Sequence, residues 1–167
     1  SAGNLATTQA VVSLLDERTK APEDRHPSIL YAPSMFQVAT IIGETLRRIV
    51  MRYGAEGPGA DSIFRASLIV GGQIRGAEPR LFLIYPEGNF IEAGEDNPFF
   101  QIGETKYGRP IIVRSYHPAL SFEEAVKLLC VSFDSTIQAN AGVDLPIDLK
   151  VHERDDFASV RERRFER

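Results

Sequence analysis

The sequence predicts an α+β domain. Two amphipathic helix patterns lead the chain, a block of short apolar runs follows, and helix patterns return before a last strand. Strands do not alternate singly with helices, which argues against a doubly wound parallel sheet. A length of 167 residues suits one domain. With 43% hydrophobic and 25% charged residues the composition is ordinary for a globular chain, so a disordered tail, a collagen-like fibre and a disulfide scaffold are excluded. The net charge of -4 disfavours non-specific nucleic-acid binding. The apolar runs fall short of the ~18 residues of a membrane span, and no signal-peptide pattern opens the chain. A cytoplasmic domain without nucleic-acid or membrane partners is the expectation.

The first helix is expected from Leu5 to about Glu17, with Ala6, Ala10, Val11, Leu14 and Leu15 on one face. Because this pattern begins so close to Ser1, the chain reads as entered midway through a fold. TKAPEDRHPS is a loop. In the second helix Ser34 is the N-cap and Gln37 completes a capping box. Met35, Phe36, Val38, Ile41, Ile42, Leu46, Ile49, Val50 and Tyr53 form its wide apolar stripe, and Gly54 stands where a C-terminal glycine belongs. AEGPGAD is a loop.

Strands are expected at Ser67–Gly72, Arg80–Pro86 and Asn89–Gly94. The PEGN turn signal makes Arg80–Tyr85 and Asn89–Ala93 a hairpin. Phe99–Gly103 reads as another short strand. These runs are apolar on both parities, as in a sheet covered on both faces. A third helix is expected over Lys106–Ser115. A fourth opens with the Ser121–Glu124 capping box and carries Phe122, Val126, Leu129, Phe133 and Ile137 as its stripe. Asn140–Asp144 is a turn and Pro146–Glu153 a strand. The charged run after it reads as a solvated helix or tail.

Familiar catalytic motifs are missing. His26, His117 and His152 lie far apart and lack metal-ligand spacing. GGQIRG fits a hairpin turn better than a nucleotide loop. Cys130, beside an apolar stripe, reads as a buried core thiol. EAGEDN reads as a solvated loop.

Two strings carry more. SAGNLATTQ (Ser1–Gln9) resembles the glycine turn that leads into the first helix of proteasome-type peptidases. RLFLIYPEGNFIEAGEDNPFFQIGETKYGRP (Arg80–Pro110) resembles the bacterial family called Anbu, the ancestral beta subunit; APSMF and LPIDL fit as well. The resemblance implies the N-terminal-nucleophile hydrolase fold, a four-layer αββα sandwich. It implies a peptidase whose first mature residue, Thr or Ser, attacks the amide while its own α-amine, of pKa about 8, takes the proton. It implies peptide or unfolded-protein substrates, no metal or organic cofactor, and a homo-oligomer built by head-to-tail contacts.

By this resemblance the family's nucleophile, its acid and its lysine precede SAGNLATTQ, on first strands this chain does not contain. The chain is then expected to be N-terminally incomplete and inactive alone. The helix Leu5–Glu17 and the strand edges would lose neighbours and expose apolar area. Ser1 pairs a hydroxyl with an α-amine, but it matches a residue just before the first helix rather than the nucleophile. Gly3 matches the oxyanion-hole donor, since its N–H can approach a developing charge with no Cβ in the way. A glycine required only by backbone dihedrals is the alternative. Ser1, Leu5 and Gln9 match positions near the substrate side-chain pocket, with a core role open for Leu5. Glu104 and Thr105 stand where a serine supports the nucleophile; a turn and a helix cap are the alternatives. Asn140 matches a supporting acid or is a plain turn residue, and Gly142 falls near where related chains often carry a hydroxyl. A non-catalytic subunit of the same fold, or an amidase on small amides, remain the rival functions.

Overall fold

The computed structural model describes residues 1–20, 27–54, 63–158 and 160–166. The chain divides into two compact units, Ser1–Gly103 and Glu104–Arg167. The middle of the first predicted loop, His26 included, and the AEGPGAD segment lie outside the described residues.

The first unit layers two helices on one antiparallel sheet. Strand β1 (Ala2–Gly3) leads into helix α1 (Leu5–Lys20). Asn4 caps that helix: the Thr7 N–H donates to Asn4 Oδ1 at 2.8 Å, and the Thr8 N–H reaches the Asn4 carbonyl. A short 3-10 turn (Ile29–Tyr31) follows, then helix α2 (Met35–Gly54), where the Gln37 N–H donates to Ser34 Oγ. Strands β2 (Ala66–Gly72), β3 (Arg80–Ile84) and β4 (Phe90–Glu92) complete a sheet of order β1-β2-β3-β4. The expected hairpin is present, with Ile84 opposite Phe90 and the Gly88 N–H closing the turn onto the Tyr85 carbonyl.

One face of the sheet meets the helices. Ala66, Leu68, Phe82 and Ile84 point inward and meet Val11, Leu15, Val38, Ile42, Leu46 and Ile49. Phe82 is fully buried, with the Phe90 ring edge-on at 5.6 Å. Helix α2 approaches the β3–β4 turn closely because Gly43 has no side chain: a Cβ there would stand 2.2 Å from the Gly88 carbonyl oxygen. Gly88 itself has φ +88°, a conformation glycine adopts at little cost.

Several expectations change in this unit. Helix α1 continues to Lys20. Ala6 is exposed, and the buried first-turn position belongs to Thr7, whose Oγ1 donates to the Phe64 carbonyl at 2.9 Å. A hydroxyl so satisfied tolerates burial. Phe36 and Tyr53 lie exposed at the two ends of α2. On the other face of the sheet Ile69, Leu81 and Leu83 are half-buried and Ile91 is exposed, so the two faces are not equally covered. Phe99–Gly103 is irregular rather than a strand. Pro98 before it has no N–H for a ladder, and Gly103 turns the backbone with φ +82°.

The second unit holds helix α3 (Arg109–Ser115), helix α4 (Phe122–Ala139) and the antiparallel pair β5 (Ile147–Val151) and β6 (Arg161–Phe165). Helix α3 starts three residues later than predicted, because Pro110 is tolerated only in a first turn. The Ser121–Glu124 capping box is complete. The Asn140 turn is present, with the Val143 N–H on the Asn140 carbonyl.

The stripe predicted for α4 is not its buried face. Phe122, Leu129 and Phe133 are exposed, and Cys130 is exposed rather than a core thiol. Buried instead are Ser132 and Thr136, which sit against Gly108; a Cβ on Gly108 would be 2.4 Å from Ser132 Oγ. The terminal run is a strand, not a helix or tail. Its charges pair across the ladder, Lys150 with Glu162 at 2.7 Å and Arg164 with Asp148 at 3.0 Å.

Candidate functional site

In the first unit Gly3 stands where β1 becomes α1. Its φ is +110°, and an added Cβ would be 2.4 Å from the Arg65 carbonyl oxygen. That carbonyl accepts the Asn4 N–H at 2.9 Å, and Asn4 Nδ2 donates to the Ile63 carbonyl at 3.0 Å. The junction is thus pinned by β2 and the residues just before it. Both the dihedral and the close approach require glycine. The N-terminus of α1, with its partial positive charge, begins directly after Gly3.

Ser1, Gly3, Leu5 and Gln9 are all exposed. Leu5 is 69% exposed and stands outside the core of the first unit. Leu5 and Gln9 are four residues apart on α1 and share a face. Sequence reasoning passed over Asn4 and Arg65. An asparagine directly before a periodic helix was the available signal for the first; the second acts through its backbone and leaves none.

In the second unit Glu104 and Asn140 meet. Asn140 Nδ2 donates to Glu104 Oε2 at 2.8 Å. Glu104 Oε1 accepts the Lys106 N–H at 2.7 Å, and Asn140 Oδ1 accepts the Gly142 N–H at 2.7 Å. The Glu104 carboxyl is held below its ordinary pKa, first by the Lys106 backbone N–H, then by the Asn140 amide, with the Lys106 charge and the Thr105 N–H adding to it; desolvation opposes them. Asn140 is also the C-cap of α4, its own N–H on the Thr136 carbonyl. The two readings of Asn140 are therefore compatible. Thr105 is half-buried and its carbonyl accepts the Arg109 N–H. It is not the N-cap of α3, a position held by Gly108. The structure so joins Glu104, Asn140 and Gly142 in one hydrogen-bonded set.

Both described histidines, His117 and His152, are exposed. Among the described residues no group of three or more His, Cys, Asp or Glu could hold a metal ion. No helix among them is long and apolar enough to cross a membrane.

The family described as Proteasome subunit matches residues 39–150. The solved Anbu (ancestral beta-subunit) from Yersinia bercovieri is 42% identical with a TM-score of 0.90, covering 99% of this chain and 67% of that one. An Anbu (Gly-1) mutant from Hyphomicrobium sp. strain MC1 is 47% identical with a TM-score of 0.87, covering 99% and 66%. A structure described as a helical assembly of the Anbu complex from Pseudomonas aeruginosa is 40% identical with a TM-score of 0.88, covering 99% and 67%. The chain spans about two thirds of the length of these solved chains. No curated protein sequence matches it. The fold is the α+β, antiparallel-sheet fold of proteasome-type, N-terminal-nucleophile proteins. The chain belongs to the proteasome family, in its Anbu branch.

Proposed function

We propose that this chain is part of a proteasome-like peptidase whose attacking hydroxyl comes from polypeptide outside it. The observation that carries the proposal is the Glu104–Asn140 hydrogen bond. A carboxylate kept ionised and oriented by an amide is suited to hold an α-ammonium in place, and Glu104 takes that role with Thr105 as a hydrogen-bonding neighbour. On the first unit, Gly3 supplies an oxyanion donor through its N–H. Its required glycine geometry and the adjoining α1 N-terminus support this. The exposure of Ser1, Leu5 and Gln9 supports a role in seating the substrate side chain. Substrates are peptides or unfolded protein, and the chemistry uses no metal or organic cofactor.

The same reading includes self-assembly through head-to-tail contacts, supported by the helical assembly described for the Pseudomonas relative. Location in the cytoplasm belongs to this proposal too.

The test is an assay of the full-length gene product, and of this chain alone, with fluorogenic peptides and a hydroxyl-reactive N-terminal inhibitor. Turnover by the full-length protein and none by the chain is expected. Labelling of Ser1 in this chain would overturn the assignment. A second reading, a non-catalytic subunit, is favoured by the amide at Asn140 and the glycine at position 142, which by the resemblance stand at the place of an acid and near that of a hydroxyl. A residue other than Thr, Ser or Cys after the initiator Met of the complete gene would decide for it.

A further inference from the structure

We propose that a cleft at the turn end of the β3–β4 hairpin receives the acidic Glu95–Asp96 turn of a second copy of this chain. This rests on the self-assembly reading and names its two surfaces.

The cleft is about 410 Å³ and is lined by Arg47, Val50 and Met51 of α2, Arg65 before β2, and Pro86 and Glu87 of the turn. That volume falls in the range of about 300–1,000 Å³ usual for sites that hold a ligand group. Its charge is uneven. Arg65 is ion-paired with Glu87 on the rim. Arg47 is exposed and forms no ion pair among the described residues. Arg47 is thus the cation that the cleft leaves unneutralised among the described residues, while Arg48 and Glu44 act on Arg18 of α1. Val50, Met51 and Pro86 add apolar lining. Such a site suits a carboxylate presented on a compact tip.

The chain carries such a tip at the other end of the same hairpin. The Gly94 N–H donates to the Asn97 carbonyl at 3.2 Å and the Asn97 N–H returns to the Gly94 carbonyl at 3.1 Å. This two-residue turn presents Glu95 and Asp96, both exposed and without an ion pair among the described residues. The nearby Arg80 does not neutralise them, because its guanidinium is engaged in two hydrogen bonds with Glu92. From Asn89 to Ala93 the paired segment spans roughly 13 Å at about 3.3 Å per residue. Cation and anion therefore sit at opposite ends of one rigid hairpin, where each copy can give its cleft to one neighbour and its turn to the next. That is a head-to-tail contact.

The experiment measures the mass of the full-length protein by light scattering at low and high salt. Three samples are compared: Arg47→Glu, the double variant Glu95→Arg with Asp96→Arg, and their equimolar mixture. Each variant alone should lose the high-mass species. The mixture should regain it, since every contact then alternates between native and reversed charge. High salt should weaken the parent assembly. Circular dichroism checks that the variants fold, and the mixture supplies an internal control for it. Variants that assemble like the parent, or a mixture that fails to recover, overturn this inference and leave self-assembly standing. A parent that stays monomeric overturns both.

Discussion

Asn140, at the C-cap of α4, donates its side-chain amide to Glu104 Oε2 at 2.8 Å. The same amide's oxygen accepts the Gly142 N–H. One side chain thus closes the helix, shapes the following turn and orients a carboxylate distant in sequence. Replacing it with Ala should cost roughly 0.5–1.5 kcal/mol by the usual worth of such a bond. Asn140→Asp should do worse at pH 7, because two carboxylates then face each other and one must gain a proton. Thermal melts at pH 7 and pH 4.5 check this, with the Asp variant regaining stability at the lower pH.

Glu104 also sets a pH dependence. Its folded pKa is depressed, with the Lys106 N–H as the largest cause. The group therefore stabilises the fold above its unfolded pKa, and that contribution is lost as pH falls from the ordinary carboxylate range through the folded value. Glu124 behaves alike, held down chiefly by the Ser121 hydroxyl. Melting temperature measured between pH 6 and pH 3 should fall on acidification. The fall should be shallower in Glu104→Gln and in Ser121→Ala. The latter should also cost about 1 kcal/mol at neutral pH as a lost cap.

The Gly43–Gly88 crossing tolerates no side chain. Gly43→Ala places a Cβ 2.2 Å from backbone oxygen, so α2 must move off the hairpin turn. A loss of about 1–3 kcal/mol is expected, the usual cost of overpacking. Gly94→Ala, with nothing within 4 Å of its added Cβ, should be near neutral. Urea midpoints of the two variants separate the cost of the close contact from that of merely adding a methyl group.

Phe82 anchors the first unit, with no exposed surface and the Arg80 guanidinium 5.0 Å from its ring centroid. Phe82→Ala should cost about 3–5 kcal/mol by loss of transfer energy and creation of a cavity. Denaturant unfolding followed by far-UV circular dichroism measures it.

How much was legible depended on how far each feature reached. The PEGN hairpin and the Ser121–Glu124 box are written within a few residues, so pattern alone located them. Strand β6 was missed because Arg161–Phe165 is nearly all charge. Its sense lies in partners such as Asp148 and Lys150 on another strand. Helix α4 misled because its apolar stripe is strong by period, yet Gly108 seats on Ser132 and Thr136. The resemblance named Gly3, Glu104 and Asn140 singly, without predicting that the last two touch.

The sequence by itself determined the α+β class, the order of most elements, the caps at Ser34 and Ser121 and the family, because periodicity, turn chemistry and extended family-like strings are local properties of a chain. Tertiary structure alone decided which helix face is buried, that the last charged run pairs as a strand, that Leu5 is exposed, and that Glu104 finds Asn140. Those outcomes rest on contacts between residues far apart in sequence. Only the folded backbone brings such residues within a few ångströms, and the spacing of either partner carries no record of the other.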